Sequence, residues 1–155
     1  MRRGKVPKRK VEPDIIHQCA LVAKFINYVM RNGDKTKARK IVYGSLGNAE
    51  KNLGKPALEV LDQVIKNAGP DQELRSRRIG GANYQIPYPV NSERKITLAL
   101  RWIIEAARSK KGQPMEKKLT QELIDSFNNT GVAVKRKMDT HRMADANKAF
   151  AHFAW

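Results

Sequence analysis

The apolar residues of this chain recur at spacings of three and four over most of its 155 residues. That spacing places them on one face of an α-helix. Glycine, proline or asparagine, which end helices, separates the successive stretches. The predicted helices run from about Asp14 to Asn32, Lys35 to Leu53, Pro56 to Gly69, Ser92 to Lys110, Met115 to Asn129, and Val132 to Phe150. We therefore expect a mainly α fold, a six-helix bundle.

One segment, residues 73–88, departs from the helical spacing. Two short runs containing β-branched and aromatic residues, 74–79 and 83–86, flank Gly80 and Gly81. A pair of glycines between such runs is typical of a two-residue hairpin turn. The sequence therefore predicts a two-stranded β-hairpin between helices three and four.

The predicted hairpin is unusually cationic. Alternation along a strand puts Arg75 and Arg77 on one face and Arg78 on the other. Such a ribbon is a poor core element and a good arm to place between nucleic-acid strands. Tyr84 has two readings of equal weight, packing of the ribbon on the bundle or stacking on a base.

The first 13 residues contain basic side chains and two prolines, with no acid before Glu12. Nothing in this segment could join a core, so we expect a flexible basic arm on a single domain that spans residues 1–155. The basic residues of the arm are Arg2, Arg3, Lys5, Lys8, Arg9 and Lys10.

The net charge of the chain limits the classes of molecule that it is expected to bind. Its 31 Lys and Arg outnumber its 15 Asp and Glu, which gives a net charge of +16. Self-repulsion of this size destabilises a compact monomer unless a polyanion supplies the counter-charge. Nucleic acid is the first candidate partner, an anionic membrane surface the second, and a merely soluble basic protein the third reading.

Lys and Arg neutralise phosphates and release condensed counterions. Basic residues beyond the arm gather at the start of helix two, at the start and middle of helix four, and just after helix four. The candidate phosphate contacts in these places are Lys35, Lys37, Arg94, Lys95, Arg101, Lys110 and Lys111.

Catalytic and metal-binding patterns are missing from the sequence. His17, His141 and His152 have no second His, Cys or carboxylate at ligand spacing. The single Cys19 cannot form an internal disulfide and suits a reducing compartment. No apolar run approaches the 18 residues of a membrane span. We therefore expect a cytoplasmic protein that is not an enzyme and uses no metal, cofactor or small-molecule substrate.

Three sequence segments in order resemble a known family. They are RRIGGANYQIP at 77–87, LALRW at 98–102, and THRMADANKAFAH at 140–152. The chain is identified by them as similar to the seventh protein of the small ribosomal subunit, in its bacterial form, over nearly its whole length. Asp34 and Ala154 depart from the family pattern, and each replaces a usual cation.

The resemblance implies both a fold and a role. It implies a six-helix bundle with a β-ribbon between helices three and four. It implies direct binding to the 3′ major domain of 16S rRNA, nucleation of the 30S head, and contacts with small-subunit proteins nine and eleven. It places the ribbon, with Gly80, Gly81 and Tyr84, near exit-site tRNA and mRNA at the subunit interface.

A second reading, a DNA-binding or nucleoid-type protein, stays open on charge and topology alone. Such proteins usually bind as symmetric dimers, and no zipper-like seam is seen in the sequence. An enzyme that acts on RNA has no candidate constellation of acid, base and metal ligands.

Overall fold

The computed structural model describes residues 11–153. The elements of this part are α1 (Ala20–Val29), α2 (Lys35–Leu53), α3 (Ala57–Ala68), β1 (Gln72–Ile79), β2 (Ala82–Pro89), α4 (Ser92–Ser109), α5 (Met115–Phe127), α6 (Val132–Ala146), and a C-terminal 3₁₀ helix (Lys148–Phe153). The two strands form an antiparallel ribbon. The predicted helix bundle with a ribbon between α3 and α4 is thus confirmed.

Helix α5 lies at the centre of the bundle and contacts α2, α3, α4 and α6. Its Leu119 and Leu123 are fully buried, because leucines four apart lie on one helix face. Burying such a side chain contributes about 1.5–3 kcal/mol. Trp102 of α4, expected in the core, is only 8% exposed. The largest other buried side chains are Phe25, Ile26, Leu46, Leu61, Ile86, Leu100 and Ile103.

The first helix starts later than the sequence suggested, at Ala20 rather than near Asp14. Gln18 takes a positive φ of 48° and Cys19 is extended, so the helical path is broken before α1. The Asp14 carboxylate instead accepts the N–H of Ile16 at 3.2 Å. It also accepts the hydroxyl of Tyr43 at 2.6 Å, which ties this turn to α2.

Other helix ends also differ from the sequence prediction, and α1 ends at Val29 rather than near Asn32. Asn91 rather than Ser92 caps α4, since its side chain accepts the N–H of Arg94. Helix α6 ends at Ala146 rather than Phe150. The side chain of Asn147 donates to the carbonyl of Met143 there, and the chain tightens into the 3₁₀ helix.

A buried carboxylate joins α4, α5 and α6. Glu122 of α5 is fully buried, and its Oε1 accepts the N–H of Ala133 in the first turn of α6. Lys110, directly after α4, places its Nζ 3.0 Å from Glu122 Oε2. Gly131 is needed beside this site, because a Cβ there would lie 2.5 Å from Ser126 Oγ and 2.9 Å from Glu122 Oε1. Both the helix N-terminus and the ammonium stabilise the buried charge.

Further polar contacts close the helix ends onto each other. Asn67 at the end of α3 donates to the carbonyls of Ser126 and Phe127 at the end of α5, both at 3.0 Å. Lys137 of α6 donates to the carbonyls of Lys66 and Asn67 at 3.3 and 3.0 Å. A cation at a helix C-terminus opposes the partial negative charge there. These contacts fix where the chain leaves α3 and enters the ribbon.

Replacing Glu122 with Gln should lower the free energy of unfolding by about 3 kcal/mol, because it leaves a charge uncompensated beside a buried site. The loss falls at the lower end of the usual range, since Lys110 also lies 3.2 Å from Asp125. Denaturant unfolding followed by circular dichroism measures it.

Two control variants distinguish loss of the Glu122–Lys110 ion pair from a nonspecific loss of stability. The double variant Glu122→Gln/Lys110→Met should lose less stability than the two single losses added together. Lys117→Met, at an exposed position of the same helix α5, should change stability by less than about 0.5 kcal/mol. Additive single losses would show that the two charges do not interact.

Candidate nucleic-acid interface

The turn of the ribbon is formed by Gly80 and Gly81, as predicted. Both have positive φ angles, 56° and 92°. Glycine adopts this left-handed region without strain, and a two-residue turn of this kind suits the twist of the flanking strands. The tip is open, since a Cβ at either position would meet nothing within 4 Å.

One face of the ribbon is covered by the C-terminal 3₁₀ helix. Arg77 pairs with Tyr84 across the strands. The Tyr84 ring lies 5.0 Å from the Phe150 ring, and Arg77 Nη1 donates to the carbonyl of Phe153 at 3.1 Å. Of the two readings of Tyr84, packing is thus the one that the geometry favours. The 3₁₀ helix therefore covers this face at Arg77 and Tyr84, which sequence periodicity could not reveal, whereas Arg75 of the same face stays exposed.

The opposite face presents Arg78. Its side chain is exposed and forms no ion pair within residues 11–153. The cross-strand partner Asn83 and the neighbouring Gln85 lie on the same face and are also exposed. This face is polar, accessible and cationic.

At the base of the ribbon, Glu73 binds two of the predicted contact residues. Glu73 is only 8% exposed. Its carboxylate accepts Nε of Arg75 and Nε of Arg94, each at 2.9 Å. Burial alone would raise the pKa of Glu73, but the hydrogen bonds from Arg75 and Arg94 outweigh it and hold that pKa below its ordinary value. These arginines brace the ribbon on α4.

Asp71 links the start of the ribbon to α4 and α6. Its carboxylate accepts Lys95 Nζ at 2.5 Å, and its backbone N–H donates to Nε2 of His141 at 3.0 Å. The hydrogen bond from Lys95 lowers the pKa of Asp71, and the charge of Lys137 adds to the effect. Lys95 is therefore also engaged within the fold.

Two further predicted contacts are engaged in ion pairs. Lys110 is held by Glu122 and Asp125. Burial would lower the pKa of Lys110, but these two carboxylates outweigh it and raise that pKa. Lys37 lies 2.9 Å from Asp34 at the start of α2. That pair is exposed, so it holds Lys37 weakly.

The predicted contacts outside these pairs remain accessible. Lys35 and Lys111 are exposed and form no ion pair in the described part of the chain. Arg101 is exposed, with its guanidinium 5.6 Å from the centre of the Tyr28 ring, within cation–π range. Together with Arg78, they are the residues singled out by sequence that, within residues 11–153, are both exposed and outside ion pairs.

Two arginines that the sequence reasoning missed lie at the same end of the bundle. Arg108 Nη2 donates to the carbonyl of Val29 at 3.3 Å, across the end of α1. Burial lowers the pKa of Arg108, and the nearby positive charge of Arg31 lowers it further. The two are 77 positions apart, so only the fold reveals that they are neighbours.

The remaining sequence predictions concern the basic arm, metal ligands and membrane spans. Arg2, Arg3, Lys5, Lys8, Arg9 and Lys10 of the arm lie outside the described residues. Within residues 11–153, no His, Cys, Asp and Glu side chains group as metal ligands do. No described helix is both long and apolar enough to cross a membrane.

Comparison with known proteins gives a consistent result. Residues 1–148 match the family described as ribosomal protein S7p/S5e. The chain is 53% identical to small ribosomal subunit protein uS7 of Thermotoga maritima over the full length of both chains. It is 55% identical to the protein of that name from Thermosipho africanus, also over the full length of both. The uS7 of Chloroflexus aurantiacus is 49% identical over 98% of this chain and 97% of its own.

Replacing Glu73 with Gln should lower the free energy of unfolding by about 1–2 kcal/mol at pH 7, because a charge-assisted carboxylate becomes a neutral acceptor. Both arginines are partly exposed, which keeps the effect modest. The folded-state pKa of Glu73 lies below its ordinary 4.5, so its contribution is full above that value and is lost as the pH falls through the folded pKa.

Denaturant unfolding at a series of pH values measures this effect. The stability difference between the wild-type protein and Glu73→Gln should shrink as the pH is lowered below 4.5. Glu59→Gln, at an exposed carboxylate on α3, is the matched control and should give a small difference at every pH. A difference for Glu73→Gln that is independent of pH would contradict the assignment.

Proposed function

The chain belongs to the ribosomal protein S7p/S5e family, and from that premise we propose that it binds the 3′ major domain of 16S rRNA directly and nucleates assembly of the 30S head. As a member, it is a structural constituent of the small ribosomal subunit with a role in translation, and it is not an enzyme. The three family motifs of the sequence support the choice of this rRNA domain.

The observation that carries the proposal is that, within residues 11–153, four of the predicted contact residues are exposed and outside internal ion pairs. Lys35, Arg78, Arg101 and Lys111 are exposed and lie on or next to α2, the ribbon and α4. Exposed cations on several elements suit phosphates of a folded RNA, whose strands run in more than one direction. Phosphate contacts position an RNA, whereas its shape and splayed bases provide specificity.

The ribbon has a separate role in the proposal. Its open glycine tip and the face that carries Arg78 approach exit-site tRNA and mRNA at the subunit interface. The rest of the surface contacts rRNA and the small-subunit proteins nine and eleven, in a bacterial-type ribosome of the cytoplasm. The basic arm, residues 1–13, adds further contacts to rRNA.

Equilibrium binding to a transcript of the 3′ major domain tests the proposal. The comparison includes a scrambled RNA of equal length and a DNA duplex, each at several salt concentrations. Selectivity for the folded domain that persists at physiological salt is the expected result, because generic phosphate contacts weaken steeply as salt is added.

The other outcomes have definite meanings. Equal, salt-sensitive binding to all three nucleic acids would leave only a generic polycation. A preference for the DNA duplex would instead support the nucleoid-type reading. Either result would remove the claim of site-specific binding to the 3′ major domain.

Replacing Arg78 with Ala should weaken binding to tRNA or mRNA and reduce the slope of log K against log salt by about 0.7–0.9, the range for one lost phosphate contact on single-stranded to duplex nucleic acid. Thermal unfolding should stay unchanged, since Arg78 has no ion pair with the described residues. Gln85→Ala, a neutral change on the same face, is the control and should leave the slope unaltered.

Arg75 provides the complementary case. Arg75→Ala removes the same charge from the same strand but also breaks the pair with Glu73. It should therefore lower the thermal stability as well as change any binding. An unchanged salt slope for Arg78→Ala would show that this face of the ribbon is not a phosphate contact.

A further inference from the structure

A cavity of about 280 Å³ opens between the end of α1, the start of α2, α4 and the start of α5. Its lining is mainly apolar and includes Met30, Ile41 and Met115. These three side chains pack against the core but are only partly buried, so part of their apolar surface is left at the cavity. Small-molecule sites usually enclose about 300–1,000 Å³, and this cavity suits one small planar group.

Cations surround the mouth of this cavity. Arg31, Lys37 and Arg108 contribute to its lining, against the single carboxylate of Asp34. Asp34 pairs with Lys37, so the lining offers Arg31 and Arg108 no other carboxylate. Outside the lining, the charge of Glu105 acts on Arg108, but Glu105 also pairs with Arg136. Arg108 is anchored by its bond to the Val29 carbonyl, and it stays close enough to Arg31 for their charges to repel. An anion between the two arginines relieves that repulsion.

The apolar side chains Met30, Ile41 and Met115 form the floor of the cavity, and the cations lie at its mouth. This combination indicates which kind of molecule fits. An apolar side chain of another protein fits the floor but brings no negative charge to Arg31 and Arg108. An inorganic anion fits the arginines but leaves the floor exposed. A nucleotide combines a planar base with phosphates on either side, and proteins that recognise RNA commonly bind unstacked bases in this way. Methionines suit such a floor because their flexible thioethers adapt to the shape of a ring.

We propose that one unpaired RNA nucleotide occupies this cavity. Its base lies against Met30, Ile41 and Met115. Its flanking phosphates lie against Arg31 and Arg108. This assignment rests on the proposed function, since the RNA is the one that the chain binds there, and it adds a base-reading site to a surface that otherwise contacts phosphates.

Chemical footprinting with the full chain tests the inference. Reagents that modify the Watson–Crick edges of bases are applied to the 3′ major domain transcript with saturating protein. The wild-type protein should protect a particular unpaired base, and Arg31→Ala/Arg108→Ala should expose that base while the rest of the footprint persists. Arg31→Ala alone, at an exposed position, guards against misfolding of the double variant. Arg142→Ala removes a charge from α6, which contributes nothing to this cavity, and should leave the protection intact.

An abasic nucleotide at the protected position gives a quantitative test. Removal of the base should weaken wild-type binding about tenfold, equal to about 1.4 kcal/mol. The same change should affect the double variant much less, since the base is no longer seated. If the wild-type protein selects the domain but no base depends on the arginines, or the abasic effect is equal in both proteins, the inference is wrong while the proposed function stands. If the wild-type protein shows no selectivity, the proposed function itself fails.

Methionine oxidation distinguishes RNA from a protein occupant. Bound transcript should slow peroxide oxidation of Met30 and Met115 relative to exposed Met138 and Met143 of α6. Oxidation of Met30 and Met115 could instead be slowed only when other subunit proteins are added, and not by the transcript alone. That result would assign the cavity to a protein neighbour and overturn the inference.

Discussion

The buried carboxylate of Glu122 is the constraint on which the arrangement of the helices depends. A charge in the centre of a bundle is costly unless opposite charge and hydrogen bonds surround it. Here the N-terminus of α6 and the ammonium of Lys110 provide both, so α4, α5 and α6 must meet at one point. Hydrophobic packing alone tolerates helices that slide against each other. A single buried charge does not, because its partners have to come within about 3 Å.

That constraint extends to the ribbon. With α6 fixed, Lys137 reaches the carbonyls that end α3, and His141 accepts the N–H of Asp71 where β1 begins. Asp71 and Glu73 then bind Lys95 and Arg94 of α4. The base of the ribbon is therefore attached to α4 as well as to α6. A two-stranded ribbon is marginally stable by itself. These contacts allow its glycine tip to extend from the bundle while its base stays fixed.

How far the sequence predicted this protein depends on the range of each interaction. Helices and turn follow from local spacing, and all six helices and the Gly80–Gly81 turn were predicted from it. The role of Lys110 depends on a carboxylate 12 positions away, and the pair of Arg31 and Arg108 depends on a fold that joins distant segments. Clusters of cations in the sequence therefore predicted a basic surface. They did not predict which of these cations form ion pairs within the fold. The cover of the 3₁₀ helix over Tyr84 was missed for the same reason.

Some cations form ion pairs within the fold and others are exposed. This difference affects how the surface can distinguish one RNA from another. Cations that brace the fold are held by carboxylates, and an RNA gains little by approaching them, since their charge is already opposed. Exposed cations attract any phosphate and cannot distinguish one RNA from another. Arg31 and Arg108 are exposed cations too, but both also line the cavity with the apolar floor. A repulsion held in place by the fold is relieved most by an anion that also fills the floor. The proposed nucleotide site would therefore place specificity in the bundle, where distances are fixed, rather than in flexible basic side chains alone.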